Sequence, residues 1–400
     1  MIDERFKLEF QRQLHEELTG NILPFWIEHT LDQSNGGFYG ALTNTLDVLN
    51  DVPRSAVLCG RILWSYSRAY RQLGESEYLA MARRAYHYLT HVFWDAEFGG
   101  VYWSVDRDGC PLDPRKHSYA QAFAIYALAE YALAVGEPQI LPWAQTMFER
   151  LEQHAYDPQQ GGYIEGCGRQ WQALADARLS EKEPACRKSM NTLLHIMEAY
   201  TNLLRARPHP QIESRLQELV EIFLERVIDP QNGHFRLFFN DDWSVIPGPI
   251  SYGHEIEGSW LLVEAAEALN QPELLDKARR AALGLAESVY NLGRDQDGSI
   301  FYEGSPNGIA DSDKHWWVQA EGLVGFYNAY QLSAEKKYAL AAEQCWQFIE
   351  AHLVDRVYGE WYKVTDRQGT PYPERYKTGP WECPYHQSRA ILEMMRRLAT

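Results

Sequence analysis

Four hundred residues leave room for roughly two or three domains, or for one large one. Hydrophobic residues at 45%, charged residues at 23% and aromatic residues at 13% make a globular composition, which excludes disordered, collagenous and coiled-coil chains. With 38 Lys and Arg against 55 Asp and Glu the net charge is −17, a field that repels duplexes and anionic lipid, so neither nucleic acid nor membrane is an expected partner.

In chain order, the first predicted element is a helix over about 5–29. Its leading residues, MIDERFKLEFQRQLHEEL, are charged from the third position, which fits neither a signal peptide nor a transit peptide. A glycine-centred motif, NGGFYG at 35–40, comes next. It recurs as FGGVYWS (98–104), QGGYIEG (160–166), NGHFRLF (232–238), DGSIFYEG (297–304) and YGEWYKV (358–364). The glycines at 36, 99, 161, 233, 298 and 359 are spaced by 63, 62, 72, 65 and 61 residues, so the chain repeats one supersecondary unit. Each motif predicts a short extended segment entered through a glycine turn.

Between motifs, apolar periodicity predicts two helices each time: 55–74 with 76–95, 116–136 with 138–157, 188–207 with 212–229, 253–270 with 272–290, and 313–333 with 335–355. Breakers separate the partners, as at Leu73-Gly74, Gly136 to Pro138 and Pro208 to Pro210. A last helix over 382–400 has no following partner and is expected to pair with the N-terminal helix, closing a circle. Twelve helices in six hairpins predict an all-α fold, an (α/α)6 barrel with short extended or β-hairpin connections at one end. It is expected to be a single domain over 1–400.

The first helix of each pair is poor in charge; YAQAFAIYALAEYALAV carries only Glu130. The second is amphipathic, as in EYLAMARRAYHYLTHVF. A helix apolar nearly all round is buried, so first members form the inner ring and second members the outer ring. Inner helices then run parallel, and polar residues near their starts converge on one pocket. Those residues are Arg61, Tyr119 with Gln121, Asn191 with His195, His254 with Glu257, Trp316 and Trp317 with Glu321, and Trp381 with His386. Polar residues at core positions call for a function, although any single histidine is as readily a satisfied core residue.

Other chemistries find no support. No phosphate-binding glycine loop opens a helix, there is no HExxH, and neither Ser189 nor Ser251 sits in a nucleophile elbow. His254 and Glu257 have a spacing that suits metal ligation, but no second pair accompanies them, so no metal and no cofactor are expected. Six Cys (59, 110, 167, 186, 345, 383) show neither CxxC nor zinc spacing and read as reduced thiols of a cytoplasmic protein. The most apolar stretch, Ala122 to Val135, is interrupted by Glu130 and too short to span a bilayer.

The blocks GRILW (60–64), MNTLLHIMEAYTNLLR (190–205), SYGHEIEGSWLL (251–262), WWVQAEGLVGFYNAY (316–330) and CPYHQSR (383–389) resemble cellobiose 2-epimerases, part of the wider N-acylglucosamine 2-epimerase group. The resemblance runs in order along essentially the whole chain. It implies an (α/α)6 barrel and cofactor-free interconversion of the reducing-end glucose and mannose of β-1,4-linked disaccharides. It implies that His254 and His386 form the acid/base pair at C2, with His195 near O1 and O2, Arg61 stabilising charge and Glu257 orienting His254 and assisting ring opening. Trp316 and Trp381 would stack on the sugar, Trp317 being able to exchange with Trp316, while Tyr119, Asn191 and Glu321 supply polar contacts. Departures from the family pattern are Leu194, Cys59-Gly60 and Gln387.

These residue types suit the reaction. Imidazole titrates near neutrality and both takes and gives a proton, and an enediolate needs preorganised positive charge. Alternatives are a mannose 2-epimerase or aldose–ketose isomerase acting on monosaccharides and, more remotely, a glycoside hydrolase of the same barrel shape. Hydrolysis calls for two carboxylates flanking the bond, whereas this set is dominated by histidines. A small carbohydrate is the expected partner, with the chain a monomer or weak homodimer.

Overall fold

The computed structural model describes residues 4–399. Among these residues twelve helices follow one another in chain order. The helix α1 covers 4–29, α2 Ala56–Leu73, α3 76–93, α4 Ser118–Val135, α5 138–154 and α6 Met190–Ala206. Then α7 covers 210–227, α8 Tyr252–Leu269, α9 272–293, α10 Trp316–Ser333, α11 336–353 and α12 Tyr385–Leu398. The even-numbered helices form a closed inner ring, each packing on the next and α12 returning to α2. Each odd-numbered helix lies outside, against the even-numbered one of its hairpin, and α1 packs on α12. This is the expected (α/α)6 barrel.

Burial explains the two rings. Every residue of α4 from Ser118 to Ala132 is buried, whereas the first turns of α3 bury only Tyr78, Met81, Ala82, Ala85 and Tyr88, one stripe at helical spacing. Inner helices approach closely where glycine allows it: a Cβ on Gly325 of α10 would lie 2.5 Å from the carbonyl oxygen of Ile256 in α8. The same cluster of buried apolar side chains runs from Phe10 to Leu398. The closure is explicit in side chains, since Gln11 Nε2 donates to the Met395 carbonyl (3.2 Å) and Trp361 Nε1 donates to Glu17 (2.8 Å). No helix among the described residues is long and apolar enough to cross a membrane.

Two features depart from simple periodicity. Five outer helices contain a π-turn, at Leu18–Ile22, Leu89–Phe93, Phe223–Val227, Val289–Gly293 and Ile349–Leu353. One extra residue per turn rotates the following chain toward the glycine motif, which a strict 3.6-residue pattern does not register. The glycine motifs themselves are Asp-initiated loops. Asp355, for example, accepts from the backbone N–H of Val357 (2.9 Å) and Tyr358 (3.1 Å), and Gly359 adopts φ 80°.

These loops carry a buried ion pair in five of the six repeats. The residue two before an inner helix, or its counterpart near α12, reaches back to the loop aspartate: Arg54 to Asp32, Lys116 to Asp95, Lys188 to Asp157, Lys314 to Asp295 and Lys377 to Asp355. At the remaining repeat that position is Ile250, and Asp229 pairs with Arg236 instead. Arg169, together with Lys116, holds the Asp95 carboxyl down at about 2, while burial lowers the Lys116 ammonium to about 8. Short antiparallel strands just before each inner helix pair with strands of the next motif, and the last, Tyr376–Thr378, pairs with the first, Leu42–Thr43. They form a rim around the end at which all inner helices begin.

Candidate active site

The rim surrounds a cavity of about 520 Å³ lined by Arg61, Tyr119, Asn191, His195, His254, Glu257, Trp316, Trp317, Trp381 and His386. Parallel inner helices thus bring together ten of the twelve side chains singled out from sequence. Glu321 is one exception: it is fully buried beneath the cavity and accepts from Trp260 Nε1 (3.0 Å) and from Arg389 Nη2 (2.6 Å). It is a support for the cavity wall, not a substrate contact. Gln121 also turns away, since its amide bonds both the N–H and the C=O of Val101 at 2.8 Å.

Hydrogen-bond partners set the protonation of two histidines. His386 Nδ1 lies 2.7 Å from Glu321, and His195 Nδ1 lies 3.0 Å from Glu198. Trp260 Nε1 and Arg389 are donors only, so Glu321 is already accepting on both oxygens and Nδ1 of His386 must donate. Its Nε2 lone pair is thereby left for the cavity. Burial, reinforced by Arg61 and Arg389, holds the His386 imidazole well below the usual histidine range, so it rests neutral. Burial likewise lowers His254, helped by His195 and Arg61. Trp317 is in ring contact with both imidazoles, with ring centroids 4.8 Å from His254 and 5.6 Å from His386.

The expected partnership of Glu257 with His254 is not made. His254 Nδ1 bonds Ser251 Oγ (2.7 Å), and Glu257 is bonded by Arg389. Ser251 stands just before the helix that carries His254, while Glu257, one turn further on, reaches Arg389 of α12. Burial and the neighbouring Glu321 raise the Glu257 carboxyl to about 7, so near neutrality its protonated form is still populated. Arg61 donates to Tyr119 OH (2.8 Å) and lies over the Phe123 ring (4.4 Å). Its Nε and Asn191 Oδ1 are buried without a protein partner, which suits a cavity for a hydroxyl-rich ligand. Trp316 is turned inward, its Nε1 donating to Gln387 Oε1 (3.2 Å), whereas Trp317 and Trp381 are only half-buried. Trp317 therefore offers the more open ring of the adjacent pair.

Sequence reading missed Arg389, Glu198 and Tyr385, which tie the histidines together below the cavity, and the segment Leu179–Glu183, which forms part of its wall. Signals for both were present. Each of the three histidines has a charged residue three positions later: Glu198 after His195, Glu257 after His254, Arg389 after His386. The 72-residue spacing between Gly161 and Gly233, the longest of the set, marks the insertion that supplies Leu179–Glu183.

The sequence profile of N-acylglucosamine 2-epimerase (GlcNAc 2-epimerase) matches residues 37–390. The chain belongs to this family. Within the N-acylglucosamine 2-epimerase family it is 43% identical to a cellobiose 2-epimerase of Bacteroides fragilis, over 98% of this chain and 100% of that one. A cellobiose 2-epimerase of Ruminococcus albus is 37% identical over 96% of this chain and 98% of its own. The solved structure of cellobiose 2-epimerase from Bacillus thermoamylovorans B4167 superposes with a TM-score of 0.93 at 37% identity, covering 97% of this chain and 99% of that one. The chain is accordingly a carbohydrate epimerase, an isomerase.

Ligand atoms of Glu257, Glu321 and His386 lie within 4.8 Å of one another, a grouping that invites a metal ion. Arg389 Nη2 already bonds Oε1 of both carboxylates and puts a permanent positive charge at that position. Turnover is therefore expected to survive exhaustive chelation. Loss of activity in chelator, restored by one divalent ion, would show that the three residues hold a metal.

Proposed function

We propose that the chain, acting as one catalytic domain over 1–400, interconverts the reducing-end glucose and mannose of β-1,4-linked disaccharides such as cellobiose. The observation that carries this reading is the pair His254 and His386, which line one cavity and both contact Trp317, with His386 Nδ1 held by Glu321 so that its Nε2 is left for the cavity. The disaccharide is favoured by the relatives, which are named cellobiose 2-epimerase. It is also favoured by a cavity whose outer wall, with Trp317, Trp381 and Leu179–Glu183, extends beyond the buried histidine cluster.

A balanced proton sequence follows. Ring opening passes the O1 proton of the sugar to His254 while the protonated Glu257 gives its proton to the ring oxygen. His386 Nε2 then removes the C2 proton, and the enediolate is held by Arg61 with His195 near the same oxygens. His254, now protonated, returns a proton to C2 on the opposite face. Ring closure takes the O5 proton back to Glu257 and returns a proton from His386 to O1. Every group ends as it began, which accounts for an epimerisation without redox change. Neutral imidazole is the right starting state for a base, and burial keeps His386 in it.

Incubation with cellobiose, lactose and mannose in separate D₂O reactions tests the reading. The expected product from cellobiose is the 2-epimer carrying deuterium at C2, with slower turnover of mannose. Turnover of mannose alone, or a ketose as the main product, would replace the disaccharide epimerase by a monosaccharide isomerase.

A further inference from the structure

Arg389 is fully buried on α12, and both of its terminal nitrogens are engaged. Nη1 bonds Glu198 and the Tyr385 hydroxyl (2.5 Å), and Nη2 bonds Glu257 and Glu321 (2.6 Å). The three carboxylates come from α6, α8 and α10, so one guanidinium ties four of the six inner helices together. Its plane lies against Trp260 (4.8 Å) and Tyr385 (4.4 Å), and Trp260 also bonds the far oxygen of Glu321. Two of these carboxylates each hold the Nδ1 of one cavity histidine. The Nε of Arg389, like that of Arg61, has no protein partner, but Arg61 lines the cavity and Arg389 does not.

We propose that Arg389 is a positioning residue that, through Glu198 and Glu321, fixes the ring orientation and the proton location of His195 and His386 together. Ion pairing alone gives a weaker account of this arrangement. A buried ion network is a poor source of stability, and packed apolar side chains commonly do as well. What apolar packing cannot do is keep two carboxylates aligned as acceptors, so that both imidazoles carry their proton on Nδ1 and present Nε2 to the cavity. Planarity matters here. Three carboxylates from three directions match a fork of donors, and a lysine ammonium in the same place is only a point charge.

Charge gives the sign of the effect. Facing His386 and Arg389 are Arg61 from α2, Tyr119 and Tyr126 from α4, and His195 with Glu198 from α6. His254 with Glu257 from α8 and Glu321 from α10 complete the set, beside Cys383 and Tyr385 of the chain leading into and forming α12. Removing Arg389 takes away a cation that repels imidazolium and leaves the carboxylates of Glu198 and Glu321, which attract it. His386 then protonates at higher pH, and the fraction available as base falls from the acid side.

The inference that this affects turnover rests on the epimerase mechanism proposed above; the tautomer measurement does not. Imidazole ¹⁵N spectra of the whole protein, with the His195 and His386 signals assigned by His195→Asn and His386→Asn, should show Nδ1 protonated and Nε2 bare in both rings. Arg389→Lys, which keeps the charge but loses the fork, should disturb both patterns and lower kcat by about 10–100-fold with little change in KM, and Arg389→Met, which also removes the charge, should move the acid limb of kcat/KM to higher pH. Should Arg389→Lys not fold, the isosteric Glu321→Gln is to alter the His386 signal alone and Glu198→Gln the His195 signal alone. Unchanged imidazole patterns in Arg389→Lys, whatever its melting temperature, would overturn the proposal, as would an unmoved acid limb in Arg389→Met or unchanged patterns in both glutamine variants. Altered patterns in a protein whose wild type epimerises no sugar would leave the positioning intact and remove the mechanism.

Discussion

Replacing His386 by Asn is expected to lower kcat by about 10²–10⁴-fold, the range for loss of a general acid–base group. Asn keeps a polar side chain of similar reach, and its amide can still donate to Glu321, so the buried carboxylate is not orphaned. What disappears is the nitrogen proposed to take the C2 proton. KM should change far less than kcat, because the groups that hold the sugar are left in place. Washout of deuterium from C2-labelled cellobiose reads the affected step directly and should slow in proportion. The pH profile gives a second check on the wild type. With His386 held neutral by burial and by Arg61 and Arg389, kcat/KM should not begin to fall at the ordinary histidine value of about 6.5 but only at more acid pH. A His386→Asn enzyme with near-normal kcat would end the two-histidine mechanism and make His195 the next candidate base.

Lys377→Met should have the largest effect on stability. Lys377 and Asp355 are essentially without exposure (0% and 1% for the side chains) and bonded at 2.5 Å. Methionine fills the space but leaves the carboxylate with only two backbone N–H partners, and an uncompensated buried charge of this kind costs about 3–5 kcal/mol. The shift of the urea unfolding midpoint measures it. Lys377 holds the Asp355 carboxyl below its ordinary range, so the stability from this pair is present above about pH 4 and lost as pH falls through the lower native value. The penalty of the variant should shrink over the same acid interval. A penalty under about 1 kcal/mol at neutral pH would mean that the ion pairs shared by five repeats are exchangeable decoration.

The ring was legible because it repeats. Six glycine motifs at near-constant spacing fix the number of hairpins, and the near absence of charge from a segment such as Ser118–Val135 marks an inner helix. Histidines on such helices then stand out, since an all-apolar background leaves them few bland explanations. Arg389 did not stand out, for the opposite reason. On α12 it shares a helix with Arg396 and Arg397, which pair with Glu393 in the last turn, and sequence alone does not separate the guanidinium beneath the cavity from those two. Partner choice was equally hidden. That His254 bonds Ser251 and leaves Glu257 to Arg389 depends on side-chain rotation, which residue spacing does not determine. The ion pairs of the loops escaped because each joins residues some 20–30 positions apart, with only the repeat itself to relate them.

The sixth hairpin is made from the two ends of the chain: α1 against α12, and Leu42–Thr43 against Tyr376–Thr378. Five hairpins can form from neighbouring sequence as the chain is synthesised, but this one requires its first helix to wait for its last. Non-local pairing of that kind is the slow event in folding. Because α12 brings both His386 and Arg389, a nascent chain with five hairpins in place has a nearly complete scaffold and no chemistry. Recovery of activity during refolding should consequently lag behind recovery of helix content, and enzyme assay becomes a clock for the closing of the ring.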